Sequence, residues 1–350
     1  ADAALFGRLY GFEERGNFED EATRQRTGEN VLHPASPIED QAPAGEAPEA
    51  FAARVAALRA RLFEARSRRP RPLRDDKVLA DWNGHAASAL LRAGLALGAP
   101  AMIEAGRAAL DFVLTRMRTD DGALLHRFHG EAAGITAFAD DYAFVVRALL
   151  DAFEVEGDPA HLGTALDLMQ RLIDGHWDED AGLFRLAGRG ATDLVAAPAE
   201  RHDGAMPSGN AVACLNLLHL ARLTGDVEMD RRARRMLEAA SAEIASHPAG
   251  YAAWLMALDE VVYGAGEVVV AGAGPEAEAM LTEARAVRLP GTLVVPLRPD
   301  AQADLARVSP PLGAFTVPPQ GALAYVCRDF RCEAPVSDVE ALRASLAASA

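Results

Sequence analysis

Three short turns set the frame of this chain: Gly98-Ala99-Pro100, Gly157-Asp158-Pro159 and Gly225-Asp226-Val227. Glycine closes a helix by adopting a left-handed conformation, and proline or a small polar residue opens the next. With the three glycines in register, Leu90-Leu91, Leu149-Leu150 and Leu217-Leu218 superpose before the turn, and Leu110, Met169 and Leu237 after it. A further glycine follows each turn by 24 or 25 residues, at Gly122, Gly182 and Gly250. The unit is helix, tight turn, helix, glycine-bearing loop, with turn-to-turn spacings of 59 and 68 residues. Residues 121–128 and 180–186 also match each other and read as short hairpins after the second helix.

Repeated helical hairpins bury their apolar faces on one another, in an open solenoid or a closed ring. Units of this length exceed the ~34–47 residues of common helical solenoids. They suit a mainly α fold, an (α/α)6 toroid whose inner helices line a cavity. Helices read at 51–69 and 251–262 bring the count to eight of the twelve in a six-hairpin ring, so the toroid is expected to be incomplete. Residues 1–50 read as an N-terminal segment and a connector carrying Pro34, Pro37, Pro43 and Pro48. Residues 51–265 hold the hairpins. The β-branched runs at 267–271 and 292–296 mark 266–350 as a small C-terminal α/β element.

Charge narrows the function. The 350 residues carry 51 acidic and 35 basic side chains, a net charge of −16. Nucleic acids and anionic membrane faces reward clustered positive charge, so neither is an expected partner. No apolar run approaches the ~18–20 residues of a membrane span. The start, Ala1-Asp2, lacks a secretion signal and also lacks Met, so an upstream segment is expected to be missing. Cys214, Cys327 and Cys332 are too few for a disulfide framework, which points to a reducing, cytoplasmic setting. Gly272-Ala-Gly274-Pro275 lacks the third glycine of a dinucleotide fingerprint, and Cys327/Cys332 have no second pair for zinc. No cofactor or metal is expected.

The repeat also places the polar residues. Sixteen positions before the turn glycines stand Trp82, Asp141 and Gly209. Each lies in a polar cluster that opens the first helix of its unit: Asp81-Trp82-Asn83-Gly84, Asp140-Asp141-Tyr142 and Pro207-Ser208-Gly209-Asn210. Such residues cap helices. If the first helices are the inner ones, the clusters also converge at one end of the cavity, where a binding site is expected. Asp140 and Asp141 are the acid/base candidates, because adjacent carboxylates repel and one proton is retained. His202, beside Asp203, is a candidate base, with His85 and His126 as weaker ones. Trp82 and Tyr142 offer flat faces to a sugar ring, and Asp81, Asn83, Asp203, Ser208 and Asn210 offer hydrogen bonds. Lys77 is the only lysine and lies just before this first cluster. It is expected to pair with Asp75, Asp76 or a cluster carboxylate and to order the corner at 81–84.

Five ordered motifs carry a resemblance. They are Gly16-Asn17-Phe18-Glu19, the run from Asp75-Asp76-Lys77 to Trp82-Asn83-Gly84, Asp140-Asp141-Tyr142-Ala143-Phe144, the run 203–210, and the run 325–332. The chain resembles the YyaL-type thioredoxin-domain-containing proteins, which include the spermatogenesis-associated thioredoxin-like proteins. The family has an apolar residue where His85 stands. The resemblance implies an N-terminal thioredoxin-like domain followed by a toroid similar to N-acylglucosamine 2-epimerases and six-hairpin glycosidases, with this chain as the C-terminal part. It implies a carbohydrate ligand only through that shared toroid. The expected function is sugar epimerase, isomerase or glycosidase chemistry by Asp140, Asp141 and His202. The alternative is a non-catalytic toroid that binds carbohydrate or protein in the service of a thioredoxin-like domain. The missing N-terminal part is itself an expected partner.

Overall fold

The computed structural model describes residues 2–190, 198–287, 291–328 and 331–348. The chain forms two compact units, 1–75 and 76–350, so the division falls later than the 50/51 boundary read from composition. The first unit holds α1 (Asp2–Leu9), a 3-10 turn (Glu39–Gln41) and α2 (Pro48–Ser67) around Leu5, Leu9, Tyr10, Phe51 and Val55. Pro48, read as part of the connector, opens α2. At that position the missing N–H has no helical partner to lose.

The second unit begins with β1 (Val78–Leu79), and then the hairpins follow. The first is α3 (Ala80–Leu97) with α4 (Pro100–Arg116), followed by β2 (Leu125–His129) and β3 (Ala132–Thr136). The second is α5 (Ala139–Glu156) with α6 (Pro159–His176), followed by β4 (Trp177–Asp178) and β5 (Leu183–Phe184). The third is α7 (Gly209–Thr224) with α8 (Val227–Ser246), and α9 (Ala252–Tyr263) starts another. Gly98, Gly157 and Gly225 all cap their helices at positive φ, of 60°, 70° and 76°. These are conformations in which any side chain would be strained.

The helices form two rows. Helix α3 packs on α5, α5 on α7 and α7 on α9, while α4, α6 and α8 each back their own partner. Inner helices α5 and α7 are buried along almost their whole length, whereas α6 and α8 bury one face. This is an incomplete α/α toroid, as the repeat predicts.

Residues 266–348 add β6 (Gly266–Gly272), α10 (Pro275–Ala286), β7 (Leu293–Leu297), α11 (Gln302–Val308), α12 (Pro310–Gly313), β8 (Ala322–Arg328), β9 (Arg331–Cys332) and α13 (Val339–Ala348). The sheet order is β7-β6-β8-β9, with β6 parallel to β7 and antiparallel to β8. Alternation splits its valines. Val268 and Val270 pack with Met280 and Leu342, while Val269 and Val295 join the main core. Cys327 and Cys332 face each other across β8 and β9 and form a disulfide, which corrects the expectation of reduced cysteines. The strand register sets them opposite one another, and that was invisible in a count of three. Cys214 is buried and free. Asp329 and Phe330 of the last motif lie outside the described residues. Among the described residues, no helix is long and apolar enough to cross a membrane.

Gly84 lets α3 lie close against the backbone of α5. A Cβ there would stand 2.8 Å from the backbone of Phe144 and Val145 on α5. Helix propensity alone predicts that Gly84→Ala stabilises by up to ~1 kcal/mol. Overpacking against a neighbouring backbone predicts a loss of about 1–3 kcal/mol. The expected outcome is a loss, read as a lower urea midpoint at unchanged slope.

Candidate functional site

Strand pairing builds the site. β1 runs antiparallel to β2, with Leu79 opposite Arg127. This pairing brings the start of α3 to the strand that carries His126. The start of α5 closes the group through Asp141, which is fully buried. Its Oδ1 accepts the Asp81 N–H at 3.0 Å and its Oδ2 the Phe138 N–H at 2.8 Å. His126 Nδ1 lies 3.0 Å from both oxygens. Asp141 is therefore the cap of α5, an anchor for α3 and the orienting partner of His126. The carboxylate fixes Nδ1 as the N–H and leaves Nε2 for proton exchange. Phe138 meets the imidazole edge-on at 4.9 Å.

The two adjacent aspartates have different tasks. Asp141 is fully buried and acts by positioning the groups bonded to it. Asp140 is half-buried, with its carboxylate against the start of α7, where a Cβ on Gly209 would stand 2.0 Å from Oδ1. Its pKa is pushed up to about 6, chiefly by burial and then by the charges of Asp141, Asp81 and Glu200, with His126 opposing. Asp81 is also raised, by burial and then by Asp141. His126 is raised above its ordinary value, first by its hydrogen bond to Asp141, although burial works against it.

Asp81, His126 and Asp141 each bring a possible ligand atom within 4.8 Å of the others. Both Asp141 oxygens, Asp81 Oδ1 and His126 Nδ1 are already engaged in hydrogen bonds. Two cavities of about 510 and 610 Å³ lie elsewhere, one lined by Phe6, Tyr10 and Phe63 and the other beside the α5–α6 turn.

The remaining candidates divide. Trp82 is 60% exposed and keeps an open ring face. Asn83 donates to Leu79 O at 2.8 Å and so closes the β1–α3 corner. Lys77 is exposed and stands immediately before β1. Tyr142 is buried, and its hydroxyl accepts the Leu124 N–H at 3.2 Å. Asp203 accepts the N–H groups of Ser208 and Ala253, each at 2.8 Å. Ser208 donates to Glu200 O and caps α7 by accepting the Ala211 N–H. Asn210 accepts Phe184 N–H and donates to Phe184 O and Glu200 O. These bonds give Tyr142, Asp203, Ser208 and Asn210 structural occupations. His202 packs on Tyr251, with ring centroids 5.6 Å apart, and its Nε2 lies against Gly250. His85 stacks edge-on with Phe144 at 5.1 Å. From sequence, His126 is only a weaker candidate on a short hairpin, and the structure brings it to Asp141. The missing signal was β1, too short for periodicity to reveal.

The chain is 29% identical to spermatogenesis-associated protein 20 of Rattus norvegicus, over 97% of this chain and 45% of that protein. The Homo sapiens protein of the same name is 28% identical over the same shares. An uncharacterized Caenorhabditis elegans protein is 28% identical, over 80% of this chain and 39% of that one. The chain thus spans less than half the length of these relatives. No protein-family model matches it. Among solved structures it is similar to a GH76 alpha-mannanase of Bacteroides thetaiotaomicron, at TM-score 0.42 and 18% identity, over 49% of this chain and 46% of that one. It is also similar to a cellobiose 2-epimerase of Spirochaeta thermophila, at TM-score 0.40 and 17% identity, over 49% and 44%.

The Asp141–His126 bond predicts a titration. A His whose folded pKa is raised gains stability below its unfolded value of about 6.5, and that gain is lost as pH rises through the folded value. Proton NMR of the His126 ring should give a midpoint above 6.5, and Asp141→Asn should lower it. An unshifted midpoint in the variant would refute the orienting role.

Proposed function

We propose that this chain is the C-terminal part of a thioredoxin-domain-containing protein of the spermatogenesis-associated type. In this reading its toroid transfers protons on a carbohydrate, as a sugar epimerase or isomerase. The observation that carries the reading is buried Asp141 orienting His126 at one end of α5, where the neighbouring Asp140 has its pKa pushed up to about 6. The carbohydrate class is supported by the motif resemblance to a family whose toroid is like the 2-epimerases.

The protonation states assign the roles. Between about pH 6 and the raised His126 value, Asp140 is a carboxylate and His126 an imidazolium. Asp140 is then the general base and His126 the general acid through Nε2. Asp140 takes the proton beside the carbonyl while His126 protonates the carbonyl oxygen, giving an enediol. Asp140 then returns its proton to carbon while His126 recovers one from an enediol hydroxyl, which restores both groups. Trp82 supplies an open ring face for the sugar. A glycosidase would instead need Asp140 protonated and Asp81 as the second carboxylate. That mode would favour pH below about 6.

Exposed apolar side chains favour a second reading. Trp82 and Leu97 on α3, with Met256, Val262 and Tyr263 on α9, are open to solvent. A binding toroid that serves a thioredoxin-like domain would use such edges.

The test is a screen of neutral mono- and oligosaccharides by NMR for binding and for turnover. The expected result is turnover that rises with pH through about 6 and falls as His126 deprotonates. Asp140→Asn should remove the acid limb and slow turnover about 10²–10⁴-fold, and His126→Gln should remove the alkaline limb. Binding without turnover in the parent chain would overturn the enzyme reading in favour of the binding toroid.

A further inference from the structure

We infer that the α5–α6 turn is a binding site for a zinc-class divalent cation, held by Glu156, Asp158 and His161. These residues lie within one six-residue stretch and bring one ligand atom each within 4.8 Å of the others. The carboxylates and imidazole come from the end of α5, the cap of α6 and the first turn of α6.

The imidazole is the informative member. His161 Nδ1 is buried and has no hydrogen-bond partner. A buried polar atom left unsatisfied calls for an explanation, such as an ion. Its nearest carboxylate oxygen, Glu156 Oε2, is 3.6 Å away, and the two side chains are only 15% and 17% exposed. That gap is too long for a good hydrogen bond. It fits two ligands of one tetrahedral ion, since zinc bonds of about 2.0–2.2 Å place neighbouring ligand atoms roughly 3.4 Å apart.

The rest of the set is oriented as metal ligands are. Arg107 Nε donates to Glu156 Oε1 at 2.5 Å, which leaves Oε2 directed at His161. Asp158 Oδ1 accepts the Ala160 N–H at 2.9 Å, which leaves Oδ2. Hydrogen bonds of this kind to the ligands' other atoms fix their direction. The N-terminus of α6 opposes a cation by roughly half a charge, and two carboxylates outweigh it. A cavity of about 610 Å³, lined in part by Arg107, Glu156, Asp158 and Arg298, lies beside the two carboxylates.

The internal repeat supplies an independent control. In register with Glu156 stand Leu97 and Thr224, and in register with His161 stand Met102 and Met229. The third turn keeps the cap, Asp226, but places buried Met229 where this turn has the imidazole. The fold therefore asks for an apolar residue there, and the donors are an addition to one unit.

Chelator-treated protein is titrated with zinc chloride by calorimetry, and with cobalt(II) by visible absorption. The expected result is one equivalent bound at this turn, with cobalt bands of a four- or five-coordinate ion. His161→Met, which installs the repeat's own residue, should keep the circular dichroism spectrum and weaken that equivalent at least tenfold. Glu156→Gln should weaken it similarly. His126→Gln at the other end of α5 should leave it unchanged. No zinc uptake by the parent chain, uptake unaltered by His161→Met, or uptake lost only in His126→Gln would each overturn the assignment.

Discussion

A single buried carboxylate organises the mouth of the toroid. Burying an ionised group without partners is prohibitive, so Asp141 must be met by donors from every side. It takes one backbone N–H from α3, one from the start of α5 and the imidazole N–H from β2. Charge-assisted bonds of this kind are the strong ones, and removing any donor leaves the charge partly bare. The positions of three elements are therefore coupled through one side chain. Gly84 completes the coupling one turn further along, because only a missing Cβ lets α3 lie against the α5 backbone.

A second polar layer lies deeper along the inner helices. Arg147 forks onto Asp151, which also receives the Ser88 hydroxyl of α3. Arg147 further donates to His219 Nδ1 at 2.9 Å, and His219 Nε2 lies 3.0 Å from Glu260 of α9. Arg222 closes the chain on Glu260 at 2.9 Å. Burial depresses the His219 pKa to about 4, so the ring is neutral and bridges an arginine to a glutamate. Residues 140, 147, 151 and 154 share one face of α5 at helical spacing. That face is polar from end to end, yet its two ends differ. Deep in the row Arg147, Asp151, His219 and Glu260 are bonded to one another or to their neighbours, whereas at the mouth Asp140 and His126 Nε2 are directed elsewhere.

The repeat carried most of the architecture because turn chemistry is local. A glycine at positive φ, a proline at the first helical position and leucines at fixed distances follow from backbone sterics and amphipathicity, which need no knowledge of neighbours. The site was less legible for the same reason. Asp203, Ser208 and Asn210 have the composition of a ligand-binding cluster, and only three-dimensional pairing shows them tied to Ala253, Glu200 and Phe184. His126 required the β1–β2 register, and the Cys327–Cys332 pair required the β8–β9 register. Both depend on strands of two residues, shorter than any periodic signal.

The adjacent aspartates show how helical geometry resolves a pattern that sequence leaves open. Neighbouring residues on a helix point about 100° apart, so they cannot share one environment. One must turn toward the cap and the other away from it. Capping geometry selects Asp141 for the inward position, since the third residue of a helix reaches back to the N–H before it. Asp140 is then directed to the next inner helix, where Gly209 leaves the space its carboxylate fills. Burial first, and then the neighbouring Asp141 charge, push the Asp140 pKa up to about 6. The inward carboxylate thus acts on the outward one, and the glycine that opens α7 makes room for it although it has no side chain.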